Sequence, residues 1–510
     1  MPTPASASPP PPATELEDEG CYRALQARDA RFDGQFFTAV TSTGVYCRPV
    51  CKVRTPKLAN CRFFTLAAQA EAAGFRPCLR CRPELAPASS AERAVWSVQD
   101  ASQLLALQAA QWLARPASAA APQRLPDIAQ ALGVSERHLR RIFQSTLGVA
   151  PQQYQLTHKL LSAKQLLTDT QLPVAEVARL SGFASVRTFN AALQQHYQLT
   201  PSQMRATGRS GSAQALQFTL YYRPPYDVAQ LLDFFAQRAL AGVEVVDTAA
   251  QSLARTLRIV QGEHNHCGWL HCRFEPEHSR VRVQVAPSLA PCLSQVLATV
   301  RALLDLDADP QAIGTALAAT WPDATGVRVP GCGDGFELAV RAVLGQQITV
   351  AAAHTIAQRL VAALGTPLPV LPPPQLSALQ HLFPTPAQLL AASDDALGQM
   401  GIVRQRQKAL RALAQACADG SLTLHPGAAP APTLAALQAL PGIGPWTANY
   451  IAMRALRWPD AFVAGDVALH HALGMRQHPQ AAKAAEAVAQ TWRPWRSYGV
   501  IRAWQSLSKT

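Results

Sequence analysis

No uncharged apolar run in this chain reaches the length needed to cross a bilayer. The first twenty residues have no apolar core either; Pro, Ala, Ser and acidic residues fill them, so no signal peptide is expected. Acidic residues are the scarcer sign of charge, 33 Asp+Glu against 46 Lys+Arg, for a formal net charge of +13. A basic chain calls for an anionic partner, nucleic acid first, although charge alone also serves solubility. Residues 1–210 hold 23 Lys/Arg and 14 Asp/Glu, so +9 of the excess lies in the first two fifths. The 11 cysteines are not spread as a disulfide framework would be, since five fall between Cys47 and Cys81. A reduced, cytoplasmic setting is therefore expected, where clustered cysteines read as metal ligands. A length of 510 residues exceeds one ordinary core and predicts about three or four domains.

Residues 1–18 form a Pro/Ala/Ser tail that cannot bury a core and is expected to be disordered. In a compact domain over 19–85, Cys47-Arg-Pro-Val-Cys51 and Cys78-Leu-Arg-Cys81 supply two close pairs, 26 residues apart. Four thiolates at that spacing suit tetrahedral zinc, and the spacing says nothing of whether the ion is structural or reactive. Cys61 lies outside both pairs and reads as a small buried apolar residue. Residues 86–206 read as helical, beginning with a helix near Glu92–Leu113, and contain two helix-turn-helix patterns. Ser135 caps a helix over Glu136–Thr146 that carries Arg137, His138, Arg140 and Arg141. The second pattern places Arg187 and Asn190 outward on Ser185–Tyr197. Helices of this kind enter a major groove, or else present a charged, solvated face on a small bundle.

These stretches carry resemblances. Asp33-Gly-Gln-Phe-Phe-Thr-Ala-Val, Thr43-Gly-Val-Tyr-Cys-Arg-Pro-Val-Cys51 and Ala73-Gly-Phe-Arg-Pro-Cys-Leu-Arg-Cys81 resemble the N-terminal domain of the Ada adaptive-response family. The resemblance implies zinc held by Cys47, Cys51, Cys78 and Cys81, with Cys47 also taking a methyl group from a methylated DNA phosphate. Turning one thiolate into a thioether removes a negative charge, so affinity for DNA should rise on methylation. The two helical units, closed by Leu199-Thr-Pro-Ser-Gln-Met-Arg205, resemble AraC-type regulators. That implies a promoter site in double-stranded DNA and RNA polymerase as a partner.

After a flexible joint at 206–214, residues 215–300 alternate as strands around an apolar helix, Val228–Ala241, and suggest a small α/β sheet domain. From 301 to 510 the pattern is helical, so the whole chain is expected to be multidomain and mainly α. Leu440-Pro-Gly-Ile-Gly-Pro-Trp-Thr-Ala-Asn-Tyr450 breaks one helix at Gly442 and Gly444 and starts another at Pro445. Bare backbone at such a turn approaches phosphate closely, but ordinary αα-hairpins also contain glycine turns. The residues that follow resemble the helix-hairpin-helix superfamily, in the 3-methyladenine DNA glycosylase II branch. Collinear motifs run from Phe218 through Pro330-Gly-Cys-Gly-Asp-Gly-Phe336 and Ala342-Val-Leu-Gly-Gln-Gln347 to Tyr498.

That resemblance implies excision of alkylated purines. Asp466 stands at the position of the catalytic carboxylate, and it is also placed to cap the helix that follows. Trp446, Tyr450 and Trp504 map onto the walls of the base slot, Trp504 fitting a core position almost as well. Gln347 occupies the position of the side chain that fills the hole left by the base, where a characterised branch has leucine; it equally suits an exposed helix start. Gly465 and Val467 also depart from the better-known pattern, Val467 replacing an aromatic in a way that would enlarge the pocket. Trp446 stands where strand-cutting glycosylases carry lysine, so base release alone is expected. No four-cysteine cluster follows the hairpin, so no iron–sulfur centre is expected, and the Pro-Cys-His-Arg motif of alkylguanine methyltransferases is absent. The resulting expectation is a monomeric repair glycosylase joined to a methyl-sensing regulator. The alternative is a regulator whose second half binds damage without cutting.

Overall fold

The computed structural model describes residues 18–89, 101–114, 124–206, 215–261 and 264–507. The expected tail up to residue 17, the first part of the helix expected from Glu92 and most of the joint (207–214) lie outside them. Among the described residues no helix is long and apolar enough to cross a membrane.

Near the N-terminus, β1 (Phe37–Val40), β2 (Val45–Cys47), β3 (Cys61–Phe64) and β4 (Arg76–Pro77) form one sheet in the order β3-β1-β2-β4. β2 pairs parallel with β4, Tyr46 opposite Pro77, so Cys47 and Cys78 leave the sheet side by side. That register brings together cysteines that the sequence holds 30 residues apart. Helix-turn-helix pairs follow, Leu125–Ala131 with Glu136–Leu147 and Val174–Leu180 with Val186–Tyr197, joined by the long helix Pro151–Asp169. Each second helix has a serine N-cap: Ser135 accepts from the His138 N–H, and Ser185 from that of Thr188. The described part of the first helix, Ala101–Ala114, packs on the first pair.

The next domain is a five-stranded antiparallel sheet built from β5 (Leu216–Tyr221), β6 (Glu244–Asp247), β7 (Ser252–Gln261), β8 (His264–Glu275) and β9 (Arg280–Val285), in the order β5-β9-β8-β7-β6. The sheet, with the helices Val228–Ala236 and Leu293–Leu303, buries one side chain layer. The first of these helices ends at Ala236, five residues earlier than the sequence suggests. Apart from a short two-stranded sheet, Thr366–Pro367 with His381–Leu382, the rest of the described chain is mainly helical around Gly335–Leu344, which buries eight of its ten residues and is apolar nearly all round. Buried ion pairs tie it to the sheet: Arg255 of β7 bridges Glu244 and Glu337, and Arg341 bridges the same two carboxylates.

The cores do not stop at domain boundaries. Leu66 and Ala68 of the cysteine domain join Ile128, Leu139 and Phe143 of the first helix-turn-helix. Val177, Phe189 and Leu193 of the second share one apolar cluster with Phe218, Val283 and Leu289 of the sheet domain. Polar contacts follow the same seams. The buried Glu71 carboxylate accepts from Tyr46, Thr157 and Tyr197 at 3.0, 2.7 and 3.1 Å. Arg223 at the end of β5 donates to the main-chain oxygens of Asp33, Ala88 and Asp307.

Candidate functional site

The hairpin joins helix Pro430–Ala439 to helix Pro445–Arg454. Gly442 has φ +78°, and a β-carbon there would stand 3.1 Å from that of Ala409, so both conformation and contact select glycine. Gly444 is different: its φ is −86° and nothing lies within 4 Å of the β-carbon it lacks. Its absent side chain leaves the start of the second helix bare, and no side chain caps the N–H groups there. Those donors and the helix dipole favour an anion at this end.

Asp466 faces this second helix. It is 9% exposed and caps Val467–Ala472, its Oδ1 accepting from the Leu469 N–H at 2.7 Å. The Trp446 indole donates to Oδ2 and the Trp504 indole to Oδ1, both at 2.9 Å. Three donors from three elements thus fix the direction of one carboxylate. Tyr450, one turn beyond Trp446, lies parallel to it, with ring centres 5.3 Å apart and planes within 8°. Trp504 lies against Tyr450 with ring centres 6.2 Å apart and planes at 42°. The structure therefore brings Asp466, Trp446, Tyr450 and Trp504 into one cluster, with Trp446 in the first turn of the helix that follows Gly444. Gln347 is exposed at the tip of the loop between Gly335–Leu344 and Val350–Leu364, with φ +55°.

Further residues complete the wall. Arg454 donates to the Tyr450 oxygen at 2.6 Å and to the carbonyls of Pro330 and Gly331. Burial alone would push the Tyr450 phenol up, but the nearby Arg454 and Arg238 outweigh it and hold it below its usual value. Arg238 lies over the Phe234 ring at 3.8 Å, and Arg454 approaches the same ring at 4.8 Å. Burial, with Arg454 and Arg341 close by, brings the Arg238 guanidinium down to about 10. Sequence reasoning missed Phe234, Arg238 and Arg454. Arg454 could have been found as the helical i+4 neighbour of Tyr450, whereas the other two come from a distant domain and leave no local signal.

Val467, the first residue of the helix that Asp466 caps, is 69% exposed.

In the N-terminal domain, the Sγ atoms of Cys47, Cys51, Cys78 and Cys81 lie within 4.8 Å of one another. A tetrahedral ion with metal–sulfur bonds of about 2.3 Å needs sulfurs ~3.8 Å apart, so this all-thiol set fits zinc. Cys47, Cys51 and Cys78 are 6%, 3% and 7% exposed, and Cys81 is half-buried. Arg48, inside the first pair, donates its main-chain N–H to the Cys81 sulfur and its guanidinium to Asp33 and the Cys81 carbonyl. The same guanidinium stacks on Tyr221 of β5 at 4.2 Å. Cys61 is not the buried apolar residue expected. It is half-exposed on the edge strand β3, where burial is incomplete, and its thiol donates to Lys57.

On the helix-turn-helix units, Arg137, Arg140, Arg141, Arg187 and Asn190 are exposed and His138 is half-buried. Leu139, Ile142, Phe143 and Leu147 turn the opposite face of Glu136–Leu147 into the core. Arg140 is paired with Glu136, and Arg141 meets the His138 ring at 3.2 Å.

Residues 340–497 match the HhH-GPD superfamily of base excision DNA repair proteins, and residues 217–334 the AlkA N-terminal domain. Residues 20–84 match the metal binding domain of Ada and residues 128–207 a helix-turn-helix domain. Fold and site together define a helix-hairpin-helix glycosylase with a metal-binding regulator module, mainly helical and with DNA as its partner. The probable bifunctional transcriptional activator/DNA repair enzyme AlkA of Mycobacterium tuberculosis is 38% identical over 504 residues, covering 96% of each chain. The present chain belongs to that bifunctional AlkA family. DNA-3-methyladenine glycosylase 2 of Escherichia coli is 34% identical across 56% of this chain and 96% of its own. The regulatory protein Ada of Salmonella typhimurium is 33% identical across 38% of this chain and 50% of its own.

Proposed function

We propose that the chain hydrolyses the N-glycosidic bond of alkylated purines of the 3-methyladenine type in double-stranded DNA. The observation that carries this is the Asp466 carboxylate, held by two indole N–H groups whose rings lie against Tyr450. A base inside a duplex must leave the stack before its sugar can be reached. An alkylated purine is cationic and electron-poor, and ring faces attract it over neutral bases. As the bond between C1′ and the base nitrogen breaks, the base takes the bonding pair and leaves neutral. Positive charge passes to the sugar ring, where Asp466 stabilises it and assists attack by water. Trp446 stands where a strand-cutting enzyme needs lysine, so the product is an abasic site. Gly442 and Gly444 grip the backbone, and Gln347 fills the space left by the extruded base.

For the N-terminal domain, we propose that Cys47 accepts a methyl group from a DNA methylphosphotriester. The sulfur attacks the methyl carbon in line, the C–O bond breaks and a phosphodiester leaves. Zinc bound by Cys47, Cys51, Cys78 and Cys81 would supply a thiolate at neutral pH. Arg137, His138, Arg140, Arg141, Arg187 and Asn190 contact a promoter site, and loss of charge at Cys47 strengthens that contact.

Base release from methylated duplex DNA, followed for the intact chain and for Asp466→Asn, tests the first proposal. The substitution keeps the size and one acceptor, and release is expected to fall by about 100-fold or more. Equal release by the two proteins removes Asp466 from catalysis, and no release by the intact chain favours a damage-binding regulator. Mass spectrometry of Cys47 after reaction with methylated DNA tests the second.

A further inference from the structure

We infer that Gln346 and Arg406 are positioning residues that hold Gln347 in its projecting conformation and couple it to the hairpin. The inference rests on the reading of Gln347 as the side chain that replaces the extruded base. The left-handed region is disfavoured for a residue with a β-carbon and persists where neighbours over-determine it. Here the neighbours can be named. The Gln346 side-chain nitrogen donates to the Gly442 carbonyl and to the Thr447 hydroxyl, each at 2.9 Å. Gly442 is the turn of the hairpin, and Thr447 lies in the first turn of its second helix. Arg406 donates to the main-chain oxygen of Gln346. That oxygen belongs to the peptide unit joining Gln346 to Gln347, so the contact fixes the plane about which Gln347 turns.

Arg406 belongs to a third element, the helix Arg404–Ala418, whose Ala409 packs against Gly442. The Arg406 guanidinium reaches the Gln346 carbonyl from the first turn of the helix. Three elements thus meet at one glutamine. The loop that displaces the base, the turn that grips the backbone and the helix beneath them form one rigid unit. Without the brace, Gln347 would relax toward extended backbone and withdraw from the duplex. A displaced hairpin would also pull the loop with it.

The brace should matter where a base has a pairing partner to leave, and much less where it has none. Single-turnover release of one alkylated purine by the full chain is compared in two duplexes, with the lesion either paired or opposite an abasic site. Gln346→Glu keeps the size but replaces the donor with an acceptor facing the Gly442 carbonyl. About a tenfold loss on the paired lesion is expected, with less than about a twofold loss on the unpaired one. Arg406→Ala should show the same contrast, and Arg406→Lys, which restores one donor, should recover part of it. Combined with Gln347→Ala, neither should add to the loss. Equal losses in both duplexes, or additive losses with Gln347→Ala, overturn the brace and leave the role of Gln347 standing. If Gln347→Ala itself is blind to pairing, the reading of Gln347 fails and the brace fails with it.

Discussion

Asp466 shows how one residue serves the fold and the chemistry together. Its Oδ1 satisfies a helix-start N–H while the two indoles set the plane of the carboxylate. Trp504→Phe keeps a ring in the slot but removes one donor, and a hydrogen bond to a charged group contributes about 1.5–3 kcal/mol. Release of 3-methyladenine should slow by about tenfold while the thermal midpoint moves little; an unchanged rate would leave Trp504 as packing alone. Much of this site was legible in advance. The resemblance of the stretches around Trp446 and Asp466 singled out Asp466, Trp446 and Tyr450, and hydrogen bonding and ring stacking draw these three together. Phe234 and Arg238 were not legible, because they reach Tyr450 and Arg454 across domains. Cys61 misled for a related reason: side-chain type says how readily a thiol is buried, not whether its strand lies at an edge.

The hairpin shows the same logic for an element. Gly442 needs its glycine for the fold, and Gly444 does not. Gly442→Ala should destabilise the C-terminal half by on the order of 1–2 kcal/mol, from the left-handed backbone and the contact with Ala409. Gly444→Ala should leave thermal stability nearly unchanged and weaken binding to undamaged duplex DNA, because a methyl group then covers the bare helix start. Thermal melts and salt-dependent DNA binding on both variants distinguish the two roles. If Gly444→Ala binds DNA as the parent does, the phosphate grip lies elsewhere. Helices with caps and turn glycines were readable because Ser135, Ser185 and Gly442 mark their ends. The β7–β8 hairpin was not, since Ser252–Leu257 is buried on both faces and shows no alternation.

For the whole molecule, the seams carry titratable groups. Burial pushes the Glu71 carboxyl up to about 7 from 4.5, although Thr157, Tyr46 and Tyr197 donate to it and His158 lies close by. Between those values the folded chain keeps a proton that the unfolded chain has released. The contribution is therefore complete below pH 4.5 and is lost as pH rises through 7. It amounts to something on the order of 3 kcal/mol. Glu71→Gln should flatten the pH dependence of the unfolding midpoint of the N-terminal half between about pH 5 and 8. A parallel pH profile in parent and variant would show that the carboxyl stays ionised in the fold.

The apolar cluster that runs from Phe189 and Leu193 into Phe218 and Val283 has a consequence for how this protein can be handled. A protease nick within residues 207–214 should not liberate two well-behaved pieces. The fragments should elute together from a sizing column and part only in denaturant, and either piece expressed alone should be sticky and prone to precipitate. Regulator and repair enzyme would then travel, age and be degraded as one object.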